Sequence, residues 1–289
     1  MNAAAHPWNR SFEWADHDGP FQVVTEQQAH DYDEQGFFVL EDALDPETVR
    51  ALDEEIAPFD ADTMRFLESR PDGRFSIAGV DTVSITIHLA RRSARLHELC
   101  ASTLFAGLCH DLIGPDARLY WDQAVYKRPH GAEPVLWHQD NGYTYVEPQA
   151  YLTCWVALTD ATLENGCVWV VPGLHRKGTL AHRDTPIGYQ CFEDPDDAVA
   201  VPVRAGSIVV FTSLTPHATG RNATDEVRKA YILQYAPDGA VARRGDPSGE
   251  PGAPEPQDDP ERQFLVLRNG KPVTEPAVPA AGTARRPSP

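Results

Sequence analysis

The chain has no pair of cysteines spaced as CxxC. Its five cysteines, Cys100, Cys109, Cys154, Cys167 and Cys191, are an odd number. Reduced, buried thiols fit this pattern better than a disulfide framework. Positive charge is scarce, with 25 Lys and Arg against 43 Asp and Glu, a formal net charge of −18. A chain this acidic is repelled by phosphate backbones, which argues against a nucleic-acid partner. No apolar run approaches the ~20 residues needed to cross a bilayer, so no membrane association is expected. The opening residues MNAAAHPWNRSFEW have no apolar stretch of the kind a secretory signal carries, and a cytoplasmic location is the expectation. No internal repeat is visible, and oligomeric state is not readable.

What is present is ordinary for a globular protein: 289 residues, 42% hydrophobic and 24% charged, enough for one large domain with a sizeable core. Residues 1–20 read as a loose N-terminal extension. Thr25 with Gln28 forms a capping-box pattern ahead of a polar helix that should stop at Gly36. "FFVL" at 37–40 reads as a short strand. Asp45-Pro46 is a helix start ahead of "ETVRALDEEIA". Residues 94–113 read as a further helical stretch ending at Gly114.

After Gly114 the texture changes. "RLYWDQAVYK" (118–127), "AYLTCWVAL" (150–158), "CVWVV" (167–171), "GSIVVF" (206–211) and "RKAYILQYA" (228–236) are short, β-branched or aromatic, and separated by turn residues. Many short strands without intervening helices predict a sandwich or barrel. Beyond Pro247 there are ten prolines in 43 residues, which reads as a proline-rich C-terminal tail. Within it, 262–273 can form a small hairpin around Asn269-Gly270. The expected organisation is therefore an extension (1–20), one domain (21–246, with a β core at about 118–240) and a tail (247–289).

The chemistry concentrates in "LWHQDNGY" (136–143). On a strand, side chains i and i+2 leave the same face, so His138 and Asp140 can reach one metal ion. A second histidine would complete a two-histidine, one-carboxylate set that leaves the remaining positions open, the arrangement of non-haem Fe(II) oxygenases. The chain holds another HxD, His182-Arg183-Asp184, but in a turn-rich segment that reads as a surface loop. His217, after the strand "GSIVVF", is the best third ligand. Arg228 lies eleven residues downstream at the start of another strand, and its two-pronged guanidinium suits a carboxylate. Alternation in "RKAYILQY" puts Arg228, Ala230 and Ile232 on one inward face. Gln123 shares a face with Trp121 and Val125. Trp155 reads on its own as a core aromatic. Asn141 and Tyr143 can either touch substrate or serve the turn, and His88 can reach the pocket from the N-terminal side.

Taken together, "DEQGFFVLEDALDPETV", "DQAVYKRP", "WHQD", "CWVALTDATLENGCVWVVPGLHRKG" and "PHATGRNATDEVRKA" resemble the phytanoyl-CoA dioxygenase-like branch of the Fe(II)/2-oxoglutarate-dependent oxygenases, from about Val24 to Tyr235. The resemblance implies a mainly β fold with flanking helices around a double-stranded β-helix, the jelly-roll or cupin-like core. It implies Fe(II) on His138, Asp140 and His217. It implies 2-oxoglutarate with its far carboxylate on Arg228 and Thr219, Gln123 and Trp155 beside it, and O2 as the oxidant. Asn222 matches a family position of less certain role, and His175 a structural one. The activity implied is a dioxygenase that hydroxylates an aliphatic C–H of a small-molecule metabolite with release of succinate and CO2. The chemistry is centred on the metal, with no separate acid or base. Because Asp140 is a carboxylate rather than a small residue, hydroxylation is favoured over halogenation, with desaturation, epimerisation and cyclisation left open. A cupin-like zinc hydrolase or small-molecule sensor is the alternative; it would need the metal ligands but not Arg228 with Thr219. No basic cluster suits the phosphates of coenzyme A, and a small neutral or cationic substrate is expected. Residues 64–93 and 176–200 are the expected pocket walls.

Overall fold

The computed structural model describes residues 3–273. Helix α1 (Glu26–Gln35) starts at Thr25, whose hydroxyl accepts from the Gln28 N–H while the Gln28 side chain accepts from the Thr25 N–H. This is the reciprocal cap read in the sequence. The helix stops at Gly36, whose φ of 87° is open to glycine without strain. Strand β1 (Phe37–Leu40) follows. Helix α2 (Pro46–Glu68) is capped by Asp45, which accepts from Glu47 and Thr48 N–H groups. Next come β2 (Val83–Ile87), α3 (Ala94–Cys100) and α4 (Thr103–Leu112). The helical stretch expected over 94–113 is thus two helices. The chain breaks at Ala101-Ser102, where Ser102 turns extended and starts the second helix.

The β core consists of β3 (Ala117–Lys127), β4 (Val135–His138), β5 (Leu152–Ala157), β6 (Val168–Val170), β7 (Val199–Val201), β8 (Ile208–Thr212), β9 (His217–Thr219), β10 (Arg228–Pro237) and β11 (Leu265–Arg268). They form two antiparallel sheets. The larger, eight-stranded sheet runs β1-β8-β5-β10-β3-β11 and ends in a short strand at Lys271–Pro272, with β2 also paired to β3. The smaller, four-stranded sheet runs β7-β6-β9-β4. This is the double-stranded β-helix, or jelly roll, with helices on one side.

Period-2 alternation sorts the side chains between two cores. Leu152, Cys154 and Val156 of β5, with Val210, Tyr231 and Leu233, face the helices. Trp155 and Ala157, with Val209, Phe211 and Ala230, face the smaller sheet, where Val168 and Val170 meet them. Buried on both faces, β5 is therefore a continuous apolar run rather than an alternating one.

Both ends of the described chain belong to this body. The N-terminal segment is irregular but packed: His6 N–H donates to the Thr179 carbonyl at 2.8 Å, and Trp14 Nε1 donates to Asp33 at 3.2 Å. The proline-rich stretch, which reads as a tail, is part of the fold up to Val273. Its hairpin turns at Asn269 and Gly270, both at positive φ, and β11 joins the edge of β3 with Val266 and Leu267 fully buried. Prolines flanking this short apolar strand hid its packing, because composition registers the flanks and not the buried pair. Residues 274–289 of the expected tail lie outside the described residues. No helix among the described residues is long and apolar enough to cross a membrane.

Candidate metal centre and co-substrate pocket

β4 and β9 are neighbours in the smaller sheet, and their register sets His138 directly opposite His217. The two imidazoles stand with ring centroids 4.2 Å apart. Strand β4 ends at His138, and Asp140 opens a four-residue helical turn, Asp140–Tyr143, so the two ligands are not alternate residues of one strand as the sequence reading had them. The turn nevertheless brings Asp140 Oδ1 to 3.9 Å from His138 Nε2 and 3.7 Å from His217 Nε2. Donors each about 2.1 Å from a shared ion can lie up to ~4.2 Å apart, so both separations suit one ion. Among the described residues this is the one group of three such side chains able to hold a metal.

The surrounding hydrogen bonds orient all three donors. His138 Nδ1 lies 2.7 Å from the Leu136 carbonyl and His217 Nδ1 lies 3.0 Å from that of Thr215. Each ring then donates from Nδ1 and keeps the Nε2 lone pair for the centre. Burial and the neighbouring His217 hold the His138 imidazole well below its ordinary pKa, which keeps it neutral as a ligand must be. Thr153 donates from its hydroxyl to Asp140 Oδ2 at 2.6 Å, which leaves Oδ1 for the metal. On its own strand Thr153 looks like any β-branched residue, and nothing in the sequence marks it. His182 is the other surprise. It packs behind the motif, accepting from the Gln139 N–H at 2.9 Å through Nε2, with burial drawing its pKa down to about 4. The second HxD is therefore not a free surface loop; its histidine braces the first.

A cavity of about 460 Å³ opens beside the triad. At one end lies Arg228, fully buried, with Nε, Nη1 and Nη2 all without a hydrogen-bond partner among the described residues, as is the Thr219 hydroxyl in the same cavity. Burial draws this guanidinium down to about 10, and it remains a cation at neutral pH. The Trp155 ring lies 5.0 Å from its central carbon, a cation–π contact that does nothing to satisfy the N–H groups. A buried guanidinium with five orphaned donors requires an anion, and a carboxylate matches its fork. The donor set thus fits iron together with a bound dicarboxylate.

Gln123 lines the same cavity and accepts from Trp121 Nε1 at 3.1 Å. Tyr143 also lines it, its ring 5.1 Å from that of His138. Asn141 and His88 are not brought there. Asn141 is buried with its amide donating to Thr179 Oγ1 at 2.6 Å and accepting from the Val146 N–H at 2.9 Å, so it ties loops together. Ile85 and Ile87 take the cavity face of β2; His88 comes one residue past the strand, with φ 56°, and meets the Trp121 ring edge-on without lining the cavity. Asn222 is likewise internal, donating to Glu226 and Lys127 carbonyls and holding the turn ahead of Arg228. His175 is fully buried, 3.0 Å from the Asp33 carbonyl, in a structural role.

Two histidines and one carboxylate on one side of a jelly roll form a donor set that suits non-haem iron, and the buried arginine beyond them suits a carboxylate. The family model of Phytanoyl-CoA dioxygenase (PhyH) matches residues 32–230, and the chain belongs to that family. A phytanoyl-CoA dioxygenase of Arabidopsis thaliana is 32% identical over 115 residues, covering 38% of this chain and 41% of that protein. The chain spans about two fifths of the length of the first curated relatives it matches. A methylphosphonate hydroxylase of Gimesia maris is 27% identical over 220 residues, covering 74% of this chain and 81% of that one. Among solved structures, the epimerase SnoN in complex with Fe3+, alpha ketoglutarate and nogalamycin RO is similar, with a TM-score of 0.63 and 26% identity, over 83% of this chain and 98% of that one.

Proposed function

We infer that this chain is an Fe(II)- and 2-oxoglutarate-dependent dioxygenase that hydroxylates an aliphatic C–H bond of a small molecule, releasing succinate and CO2. The observation that carries this reading is Arg228, a fully buried cation with no hydrogen-bond partner among the described residues, in the cavity of the metal triad. A zinc hydrolase or a metal-dependent sensor has no need of it. His138, Asp140 and His217 would hold the iron, and Arg228 with Thr219 would hold the far carboxylate of 2-oxoglutarate. Bound together, iron and 2-oxoglutarate supply the oxidising power, with dioxygen as the third reactant. The protein's part is orientation and shelter. Arg228 sets the direction in which the dicarboxylate lies, and Trp155 walls off water beside it. Thr153, by donating to Asp140 Oδ2, would leave Oδ1 turned toward the ion. Phytanoyl-CoA dioxygenases, a methylphosphonate hydroxylase and an epimerase are among the proteins this chain resembles, and hydroxylation is the outcome favoured by an intact carboxylate ligand.

The test is anaerobic addition of Fe(II) and then 2-oxoglutarate, watching for a visible charge-transfer band. A band should form with the unaltered chain. It should be lost in Arg228→Ala while bound iron persists. Full succinate-forming activity in that variant would refute the assignment.

A further inference from the structure

We propose that the outer part of the cavity receives an uncharged molecule with a flat, ring-bearing apolar face and a hydroxyl or carbonyl group, and that Gln234 is the residue that recognises the polar group. The inference rests on the oxygenase reading for the inner part of the cavity and adds the substrate class and a specificity residue.

Three observations carry it. The first is charge. Among the described residues lining the cavity, the ionised side chains are Asp140 and Arg228, and both are engaged by metal and co-substrate in the reading above. A phosphate, phosphonate, carboxylate or ammonium group on the substrate would enter without a counter-charge, at a large desolvation cost. The second is the wall. Gln234 of β10 pairs with Trp121 of β3, but Tyr235 pairs with Leu119, so Tyr120 is an extra residue bulged out of the ladder. The bulge breaks the alternation, and both Tyr120 and Trp121 line the cavity. Phe75, Ile77, Ile87 and Tyr143 complete an apolar rim, with Phe75 57% and Ile87 41% exposed. Broad rings beside branched aliphatic chains fit a flat hydrocarbon face.

The third is Gln234 itself. It is 6% exposed, lines the cavity, and its amide has no hydrogen-bond partner among the described residues. It also pairs with Thr153, the residue that orients Asp140, so it stands beside the metal end of the cavity. Arg228 is six residues away on the same strand, about 20 Å of backbone by strand rise, so the two side chains serve opposite ends of the cavity. A neutral amide offers one acceptor and two donors, which match a hydroxyl or a carbonyl and do not neutralise a charge.

Probes that share one ring and differ in charge test this: 1-naphthol, 1-naphthoate and 1-naphthylmethylammonium, followed by their own fluorescence. The full chain is titrated after anaerobic loading with Fe(II) and 2-oxoglutarate, so that a co-substrate carboxylate already engages Arg228. 1-Naphthol should bind about tenfold more tightly than either ion, and Gln234→Leu should weaken it about tenfold, one hydrogen bond's worth, with the charge-transfer band unchanged. Phe75→Glu, at an exposed position that does not endanger folding, should turn the preference toward the ammonium probe. Equal or tighter binding of either ion by the unaltered chain overturns the proposal. So does undiminished 1-naphthol binding in a folded Gln234→Leu, or an unchanged preference in Phe75→Glu. If no charge-transfer band forms but the neutral probe is still selected, the oxygenase reading fails and the cavity's selectivity stands by itself.

Discussion

Lys127 and Arg228 are direct partners across β3 and β10, and both are buried. Neither has a carboxylate partner among the described residues; Lys127 donates to main-chain oxygens, the nearest being Gly220 at 2.5 Å. Burial, reinforced by Arg228, lowers the lysine to about 6. Of the pair, Arg228 is the cation that holds its charge the more firmly.

Replacing this cation with an uncharged side chain of similar length should separate co-substrate binding from folding. In Arg228→Met the apparent affinity for 2-oxoglutarate should fall by about 2–5 kcal/mol, roughly 30- to 5,000-fold. The metal-free protein should be no less stable in urea, because an unpaired buried charge has been removed. Steady-state kinetics and equilibrium unfolding check the two halves. A large stability loss with co-substrate affinity intact would reassign Arg228 to a purely structural role.

Thr153→Val keeps shape and removes the hydroxyl that fixes Asp140. Iron should bind about 10- to 100-fold more weakly, as measured by competition with a chelator. The fold should persist at a cost of about 1–3 kcal/mol for the carboxylate oxygen left without its donor. Unchanged iron affinity would mean that Asp140 is oriented by other contacts.

Acid should destabilise the fold through His175, which burial holds at about 4 against 6.5 in the unfolded chain. Between those two values the unfolded state binds a proton that the folded state does not. Stability therefore falls as pH drops from 6.5 toward 4, by up to about 1.4 kcal/mol per pH unit from this group. His175→Gln should flatten that slope in urea titrations at pH 6.5, 5.5 and 4.5. An identical slope in the variant would assign the acid sensitivity to other groups.

Leu267 tests the C-terminal segment. Leu267→Ala should cost about 2–5 kcal/mol in equilibrium unfolding, the range for a fully buried leucine. A change under 0.5 kcal/mol would show that β11 is only loosely attached in solution.

Sequence reasoning singled out His138, Asp140, His217 and Arg228, which the fold brings to one cavity, because each sits on, or just past, a short run of β-branched and aromatic residues. The strands of the core were legible for the same reason, and α1 and α2 because their caps are written in Thr25, Gln28, Gly36 and Asp45. Thr153, His182 and Gln234 were not. Their roles depend on which strand lies alongside and on where a loop returns, and those are facts of register that one-dimensional spacing does not carry. His88 follows Ile87, and because Ile85 and Ile87 take the cavity face, twofold alternation along the strand already turns residue 88 away from it.

The hitch at Tyr120 divides β3 into two stretches with independent alignment. Inserting or deleting a residue on the Ala117 side would shift Tyr120, while positions 121 to 127 stay in step with Gln234 through Arg228. One ribbon can thus be retailored at one end for a new guest and hold its grip on the common reagent at the other.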